Sequence, residues 1–496
     1  MTTTPRRSSP PLRSPEQRRG DPDAPDSLQR LALQVLLPGF EGTTLPDDYR
    51  ALLEQGLGGV CWFGSNTAGG HAATAALGAA VRAANPDAVI AVDEEGGDVS
   101  RLHTRAPSPV LGAAALGGAD DVDLTEAVGA WVGHELASVG VTLDLAPDAD
   151  VNSDPRNPVI GTRSFGTEPH RVAAHVAAWT RGLQSAGVGA CAKHFPGHGD
   201  TATDSHLALP RVDVDADTLA ARELVPFDAA IEAGTVAVMT SHIVVPALDP
   251  DRPATLSPVV LAMLRDVLEF DGVIVSDALD MAGASAEVGI PEAAVQALVA
   301  GCDLLCIGPD KPASLVEEVR DAVVAAVEQG RLDAGRLAES AERVRAMRLE
   351  RTADITLPDH DRQVAAAGAA LLRDGALPDL TGAVVVSVET TANIAVGEVA
   401  WGVEPDHRLD PADLAGSLAG LPDGPPLVVQ VRDAGRRPEV LDLLRSLAVS
   451  GRPGVVVEWG WPTPYDTGWP RICTRGSSAP AVAAVEALLR EAGWSR

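Results

Sequence analysis

Basic residues are scarce in this chain of 496 residues. There are 39 lysines and arginines against 69 aspartates and glutamates, which gives a formal net charge of -30. A surface of this sign repels phosphate backbones and anionic lipids, so the composition argues against nucleic-acid and membrane-surface binding. The sequence also lacks any run of about 18 or more apolar residues, so no transmembrane helix is expected.

Paired cysteines are missing as well. The cysteines are odd in number and scattered, so we predict reduced core residues rather than disulfides or a zinc site at Cys61, Cys191, Cys302, Cys306 and Cys473. Residues 1–28 contain no apolar segment, are rich in proline, arginine and serine, and are expected to form a disordered tail. These absences favour a cytoplasmic protein.

What the sequence does contain is a series of short runs rich in valine, isoleucine and leucine, separated by alanine-rich helical segments. The runs lie at residues 33–40, 58–64, 88–97, 141–151, 188–199, 236–246, 272–281 and 302–310. Runs without polar alternation are typical of strands covered on both faces. Their alternation with helices predicts a (β/α)₈ TIM-type barrel over residues 29–355, with an open doubly wound sheet as the alternative.

Polar residues collect at the ends of these runs. Asp93 follows the apolar part of the third run, Lys193 and His194 belong to the fifth, and Asp277 follows the apolar part of the seventh. The carboxyl ends of barrel strands form the active-site face of such folds. The pattern therefore predicts an active site at this end of the barrel.

A second, smaller domain is predicted after the barrel. Residues 356–375 are interpreted as a helical connector, and residues 376–496 hold strand-like runs such as "GAVVVSVET" and "GVVVEWGWP" between amphipathic helices. This order predicts a small α/β C-terminal domain. Its runs do not end in a comparable cluster of acids and histidines, which favours a structural or oligomerising role.

The densest set of titratable side chains lies in "KHFPGHGDTATDSHLALP", residues 193–210. It allows three interpretations: a metal site, a proton-transfer device, or a polar loop without chemistry. A metal could use His198, Asp200, Asp204 and His206. The segment nevertheless lacks the helical histidine pair or the paired cysteines that make zinc motifs specific, so we expect no metal.

The proton-transfer interpretation depends on Asp204 and His206. An aspartate two residues before a histidine can accept a hydrogen bond from one ring nitrogen, which leaves the other nitrogen outward. The carboxylate also raises the histidine pKa above its usual value of about 6.5. Such a pair suits general acid/base catalysis near neutral pH. Asp277 is the candidate nucleophile across the pocket.

Several longer motifs carry a family resemblance. "DEEGGDVSRL", "DVNSDPRNPVIGTRSFG", "KHFPGHGDTATDSH", "PATLSPVVLAMLR" and "VIVSDALDM" occur in this order between residues 30 and 350. Together they resemble glycoside hydrolase family 3, in its β-N-acetylglucosaminidase branch. The resemblance implies a retaining mechanism with Asp277 as the nucleophile, His206 as the acid/base and Asp204 as its dyad partner.

The resemblance also implies which residues hold the sugar. The matching substrate-binding positions are Asp93, Arg101, Arg163, Lys193 and His194. The structural alternative for Asp93 and Arg101 is a mutual ion pair. One departure is Asp98, where the family usually carries arginine or another residue, and we expect it to have no catalytic consequence beyond a change at the pocket rim.

The expected function is a retaining, exo-acting β-N-acetylglucosaminidase that needs no cofactor and binds a small carbohydrate such as a cell-wall or chitin fragment. Short substrates are favoured because 8 tryptophans, 2 tyrosines and 6 phenylalanines offer no obvious row of stacking platforms. The same site also suits a β-glucosidase, or a phosphorylase, because a neutral histidine does not repel phosphate.

Two alternatives belong to other classes: a barrel that binds sugar without catalysis, and a metal-dependent barrel enzyme such as an aldolase. Assaying a nitrophenyl β-N-acetylglucosaminide with and without EDTA separates them from the expected function.

Overall fold

The computed structural model describes residues 27–202, 209–390, 393, 395–397, 399–413, 416 and 419–496. The predicted tail at residues 1–28 lies outside this part except for its last two residues. Ser27 caps the first helix by accepting a hydrogen bond from the Arg30 N–H, and Leu28 begins that helix.

Each of the predicted apolar runs contributes one strand to a parallel sheet. The strands are β1 Leu36–Pro38, β2 Gly59–Trp62, β3 Val89–Val92, β4 Leu143–Asp144, β5 Gly189–Phe195, β6 Ala237–Thr240, β7 Val273–Ser276 and β8 Leu304–Gly308. The order of pairing is β1-β8-β7-β6-β5-β4-β3-β2, and β1 also contacts β2. The predicted TIM-type barrel is therefore confirmed as a nearly closed eight-stranded sheet.

Helices surround this barrel. In the barrel and its connection they are α1 Leu28–Gln34, α2 Asp47–Glu54, α3 Gly64–Thr67, α4 His71–Ala84, α5 Ala113–Ala119, α6 Val122–Val139, α7 Pro169–Ser185, α8 Ala216–Thr218, α9 Val225–Glu232, α10 Pro258–Asp266, α11 Ala282–Ser285, α12 Ile290–Ala300, α13 Ala313–Glu328, α14 Ala334–Ala346 and α15 His360–Ala370. Short turns of 3₁₀ or π-helix lie at Gly161–Arg163, Leu219–Glu223 and Ala254–Leu256.

The continuous apolar character of the strands has a direct cause in packing. Leu37 and Cys61 belong to a buried cluster inside the barrel, whereas the alternate residues Leu36 and Val60 belong to the large cluster that includes the helices. Both faces of each strand are therefore buried, and neither face selects polar residues. All five cysteines are buried and free, as predicted.

Helices α6 and α7 pack closely because glycines lie at their contact. A β-carbon at Gly182 would come within 2.0 Å of the Glu126 carbonyl oxygen, and one at Gly129 within 2.7 Å of the Trp179 carbonyl oxygen. Side chains at these positions would push the two helices apart.

The C-terminal domain is a second sheet. Its strands are β9 Leu372–Asp374, β10 Val384–Val388, β11 His407–Leu409, β12 Leu427–Val431, β13 Gly454–Glu458 and β14 Arg471–Cys473. Their order is β11-β10-β12-β13-β14-β9, parallel except for β9. Its helices include α16 Pro438–Val449, α17 Ala479–Glu491 and a 3₁₀ turn at Ala434–Arg436.

The segment interpreted as a connector does more than join the domains. Its helix α15 contacts both α5 of the barrel and α17 of the C-terminal domain. Residues 372–374, which were expected to be part of a helical connector, instead form β9, an antiparallel edge strand paired with β14.

Within the described residues, no helix combines the length and the apolar content that crossing a bilayer requires.

Helix α14 is fixed to the barrel by one buried carboxylate. Asp303 lies just before β8, and its side chain is fully buried. One carboxylate oxygen accepts from Arg265 at 2.6 Å and from the Ile274 N–H at 3.0 Å. The other accepts from Arg336 at 2.9 Å and from Arg343 at 3.3 Å.

We predict that Asp303→Asn lowers the free energy of unfolding by about 3–5 kcal/mol, because it leaves three arginines without their buried counter-charge. The matched control is Asp87→Asn, which breaks an exposed ion pair with Arg348 and should cost less than about 1 kcal/mol. Denaturant unfolding of both variants measures the difference. Equal losses would show that the Asp303 cluster does not hold α14 in place.

Candidate active site

A cavity of 390 Å³ lies at the carboxyl ends of the barrel strands. Its titratable lining residues are Asp93, Glu95, Arg101, Arg163, Lys193, His194, His198, Asp277 and Asp280. Apolar and thiol side chains, among them Phe63, Met239 and Cys306, complete the lining. All six described residues of the predicted site therefore line the same cavity.

Lys193 is the central cation of this cavity. It lies in β5, is 1% exposed, and its Nζ is 2.7 Å from Asp93 Oδ1 and 2.8 Å from Glu95 Oε1. Burial acts to raise the pKa of Asp93, but the charges of Lys193 and Arg101 outweigh it and hold that pKa below its ordinary value. Asp93 is therefore an ionised acceptor at neutral pH.

Arg163 forms the second cationic group. It comes from the 3₁₀ turn Gly161–Arg163, and its Nη2 donates to Glu95 Oε1 at 2.8 Å. Burial disfavours the Glu95 charge, yet Arg163 and Lys193 together keep the pKa of Glu95 well below its usual range. Glu95 thus joins the two cations into one buried network.

His194 is oriented from both sides of its ring. Its Nδ1 is 2.7 Å from Asp150 Oδ2, and its Nε2 is 3.3 Å from Arg163 Nη2. Because arginine can only donate, Nε2 must accept and Nδ1 must carry the proton given to Asp150. These two contacts hold the imidazole in one orientation at the wall of the cavity.

His198 lies beside this pair with different properties. Its backbone N–H donates to Asp150 Oδ1 at 2.6 Å, and its ring is 6.0 Å from the His194 ring. Burial lowers the pKa of His198 to about 4, so its ring is neutral at physiological pH. It does not have the protonation state of a general acid.

One group of ligand-type side chains could hold a metal ion. Among the described residues, ligand atoms of Asp148, Asp150 and His194 lie within 4.8 Å of one another. Burial, with the neighbouring Asp150 charge, raises the pKa of Asp148 well above its ordinary value. This set shares no member with the His198, Asp200, Asp204 and His206 set considered from the sequence.

Asp277 follows β7 directly and lines the cavity. Its Oδ1 accepts from the Ala278 N–H at 2.8 Å, which fixes one carboxylate oxygen to the backbone. The strand end therefore presents a carboxylate in the same cavity as the Lys193 and Arg163 network.

Arg101 is bound mainly to the C-terminal domain. Its Nη2 donates to the Ala395 carbonyl at 2.9 Å and its Nη1 to the Val396 carbonyl at 3.2 Å. The distance from Arg101 Nη2 to Asp93 Oδ2 is 3.9 Å, longer than the 2.7 Å contact between Asp93 and Lys193. A simple Asp93–Arg101 ion pair therefore does not describe this corner of the cavity.

The predicted acid/base pair, Asp204 and His206, lies outside the described residues. The stem before it is described: Asp200 Oδ2 is 2.6 Å from Arg222 Nη2, and Arg222 Nε is 2.6 Å from Glu223 Oε1. Burial raises the pKa of Glu223 to about 7, although Arg222 acts in the opposite direction. The segment after β5 is thus bound at Asp200 to the π-helical turn Leu219–Glu223.

The sequence was compared with known families and structures. A model described as the Glycosyl hydrolase family 3 N terminal domain matches residues 34–347. The chain belongs to glycoside hydrolase family 3. The predicted membership, including its β-N-acetylglucosaminidase branch, is confirmed by the relatives that follow.

Among the relatives, the Beta-hexosaminidase of Methylococcus capsulatus is 38% identical over 281 residues, which cover 55% of this chain and 83% of the relative. The Beta-hexosaminidase A of Pseudoalteromonas piscicida is 38% identical over 285 residues, or 53% of this chain. The alignment covers 48% of that relative, so this chain spans about half its length.

The likeness to solved structures extends over both domains. The structure of a glycoside hydrolase family 3 beta-N-acetylglucosaminidase from Paenibacillus sp. strain FPU-7 is 31% identical and superposes with a TM-score of 0.83. The superposition covers 94% of this chain and 97% of that chain. The two-domain architecture is therefore shared with a protein of this family.

Three participants in the site were not assigned from the sequence. Glu95 lies two residues after Asp93, and Asp150 lies two residues after Asp148. In extended backbone, side chains two residues apart point to the same side, and this spacing could have indicated both residues. Ala395 contributes from the other domain and carries no titratable group, so no motif could have indicated it.

We predict a pH dependence that comes from Glu223. Between pH about 4.5 and about 7 the folded protein keeps a proton on Glu223 that the unfolded chain has released, so this group reduces stability as pH rises through that window. Glu223→Gln should therefore gain stability relative to the parent protein with rising pH, by up to about 3 kcal/mol.

Denaturant unfolding at pH 5 and pH 8 measures this gain. Glu232→Gln, which changes an exposed glutamate on the neighbouring α9, is the matched control and should show no such trend. A stability difference that is the same at both pH values for Glu223→Gln would contradict a raised pKa.

Proposed function

We propose that this protein is a retaining, exo-acting β-N-acetylglucosaminidase that removes terminal N-acetylglucosamine from short glycosides. The observation that carries the proposal is the Asp277 carboxylate in one cavity with the Asp93, Lys193 and Arg163 network. The family membership and the likeness to proteins named as hexosaminidases support the same activity.

The size of the cavity supports action at chain ends. Its 390 Å³ lies near the lower end of the roughly 300–1,000 Å³ typical of small-molecule sites. A space of this size suits one sugar ring better than an extended polysaccharide. The proposed substrate is therefore a small carbohydrate such as a cell-wall or chitin fragment.

Charged groups arranged in this way can hold sugar hydroxyls. Asp93 is an ionised acceptor with a side chain that is 20% exposed, whereas the Lys193 side chain is only 2% exposed. Hydrogen bonds that involve ionised groups are shorter and stronger than neutral ones. We assign Asp93, Lys193, Arg163 and His194 to the terminal sugar, with Arg101 at the edge nearest the C-terminal domain.

The proposed reaction has two steps. The Asp277 carboxylate attacks the anomeric carbon while protonated His206 gives its proton to the departing glycosidic oxygen, and a glycosyl-aspartate forms. Neutral His206 then takes a proton from water as that water displaces Asp277, so the anomeric configuration is retained. Asp204 fixes the tautomer of His206 and raises its pKa.

The described residues favour His206 over the other histidines as the acid. The Nδ1–H of His194 donates a hydrogen bond to Asp150 and its Nε2 accepts one from Arg163, whereas the pKa of His198 is lowered to about 4. Neither ring is suited to donate a proton near neutral pH. The reaction as written needs no cofactor, and the five free cysteines are typical of the cytoplasm, where we place the protein.

We predict that Asp277→Asn abolishes turnover of a nitrophenyl β-N-acetylglucosaminide, a loss of roughly 10⁴-fold or more, because the amide cannot form the covalent intermediate. The matched control is Asp271→Asn, an exposed acid at the opposite end of β7, which should keep the parent rate. A fluorinated, slow-turnover glycoside should label the parent protein on the peptide that contains position 277. Parent-like rates in Asp277→Asn would refute the assignment.

We predict that Asp204→Ala lowers kcat by about 10²-fold, as expected when a general acid loses its orienting partner. Without Asp204 the pKa of His206 falls, so the rate should begin to decline at a lower pH on the basic side. Rate profiles from pH 5 to 9 measure both effects, with Asp217→Ala, an exposed acid in α8, as the control. An unchanged basic limb would exclude His206 as the acid.

A further inference from the structure

The C-terminal domain reaches the sugar cavity. Ala395 is one of the lining residues, and the backbone carbonyls of Ala395 and Val396 accept hydrogen bonds from Arg101. One wall of the cavity is therefore made by residues that lie beyond the barrel. The segment 395–397, here termed the wall segment, is described without a gap.

Asp98 connects this domain to the loop that follows β3. Its side chain is 4% exposed, its Oδ1 is 2.5 Å from Arg432 Nη2, and the same oxygen accepts from the Ser477 N–H at 3.0 Å. Its Oδ2 accepts from the Thr162 hydroxyl at 2.8 Å. One barrel carboxylate thus binds two parts of the C-terminal domain and the segment that carries Arg163.

Asp98 lies within a short and well-bonded stretch of sugar-binding residues. It is three residues from Glu95 on one side and three from Arg101 on the other. The Arg101 and Leu102 N–H groups both donate to Glu94 Oε2, at 2.7 Å and 3.0 Å. A shift of Asp98 must therefore move Arg101, Glu95 or both.

Arg432 is itself held in place on the other domain. It follows β12, its side chain is 12% exposed, and its guanidinium lies over the Trp401 ring at 5.6 Å. Because a partly desolvated arginine stacked on an indole has few alternative positions, its contact with Asp98 fixes the separation of the two domains at this point.

We infer that Asp98 and Arg432 are positioning residues for the active site, which hold the wall segment against Arg101 and so shape the sugar pocket. The C-terminal domain is then a part of the active site and not only a structural module. The expectation that Asp98 affects only the pocket rim is thereby extended to a role in substrate binding, without a role in the chemical step. This inference rests on the proposed function for its kinetic test alone.

The test compares Asp98→Asn, Arg432→Gln and their combination with the parent protein. Each single change should raise KM for the nitrophenyl glycoside about tenfold and change kcat by less than about twofold, because neither residue touches the reacting atoms. The KM of the double variant should be no higher than that of either single variant. Each single change leaves one buried charge without its partner, and the double change removes both charges.

Hydrogen exchange gives a readout that does not depend on activity. Arg432→Gln should speed exchange of the amides at 98–102, which lie in the barrel although the change is in the other domain. The matched control is Arg362→Gln, which breaks an ion pair between α15 and Asp121, neither of which lines the cavity. It should leave KM and the exchange at 98–102 as in the parent protein.

Ala395→Leu tests the wall without breaking the contact between the domains. The larger side chain should fill part of the cavity and raise KM, while the melting temperature and the exchange at 98–102 stay as in the parent. An unchanged KM in this variant, or Asp98 and Arg432 variants that melt earlier yet keep KM, would overturn the inference. If the parent protein hydrolyses no glycoside, the proposed function fails, and the exchange result alone decides whether Arg432 positions the barrel loop.

Discussion

The buried ammonium of Lys193 is the constraint on which the rest of the site depends. An ammonium group that is almost without solvent is stable only with counter-charges in contact, and Asp93 and Glu95 supply them. Because Glu95 also binds Arg163, the loop that follows β3 and the turn at Gly161–Arg163 are fixed to β5 by the same cluster. The same charged cluster thus lines the cavity and holds the loop after β3, the turn at Gly161–Arg163 and strand β5 together.

The charged side chains that line the cavity are positioned by the ends of barrel strands. Asp93, Lys193 and Asp277 lie at or directly after strand ends, where the barrel fixes their backbone. The segment that follows β5 is held at Asp200 by the contact with Arg222.

Much of the fold could be predicted from the sequence because local patterns specify it. Buried parallel strands give unbroken apolar runs, and each of the eight runs contains a barrel strand. The strand lengths were harder to predict: the run at 141–151 yields only the strand Leu143–Asp144, followed by an isolated bridge between Asp148 and Lys193. Strand β9 was missed because its exposed residues at 372–374 lack an apolar pattern.

The site was predictable where a motif carries it and not where distant segments meet. Asp93, Arg163 and Lys193 could be named from short motifs, and they do share one cavity. The hydrogen bond between Asp98 and Arg432 joins residues 334 positions apart. The sequence around either residue contains no motif that indicates the other as its partner. Contacts of that kind come from the docking of two folded domains, which periodicity and spacing do not encode.

Ala395 lines the cavity from a different domain than the one that holds Asp277. Residue replacements near position 395 can therefore alter the shape of the pocket while every barrel strand keeps its packing. Mutations in this part of the C-terminal domain can change the space inside the cavity and leave the Asp277 carboxylate unchanged. The shape of the cavity near Ala395 and the carboxylate at Asp277 can therefore change independently during evolution.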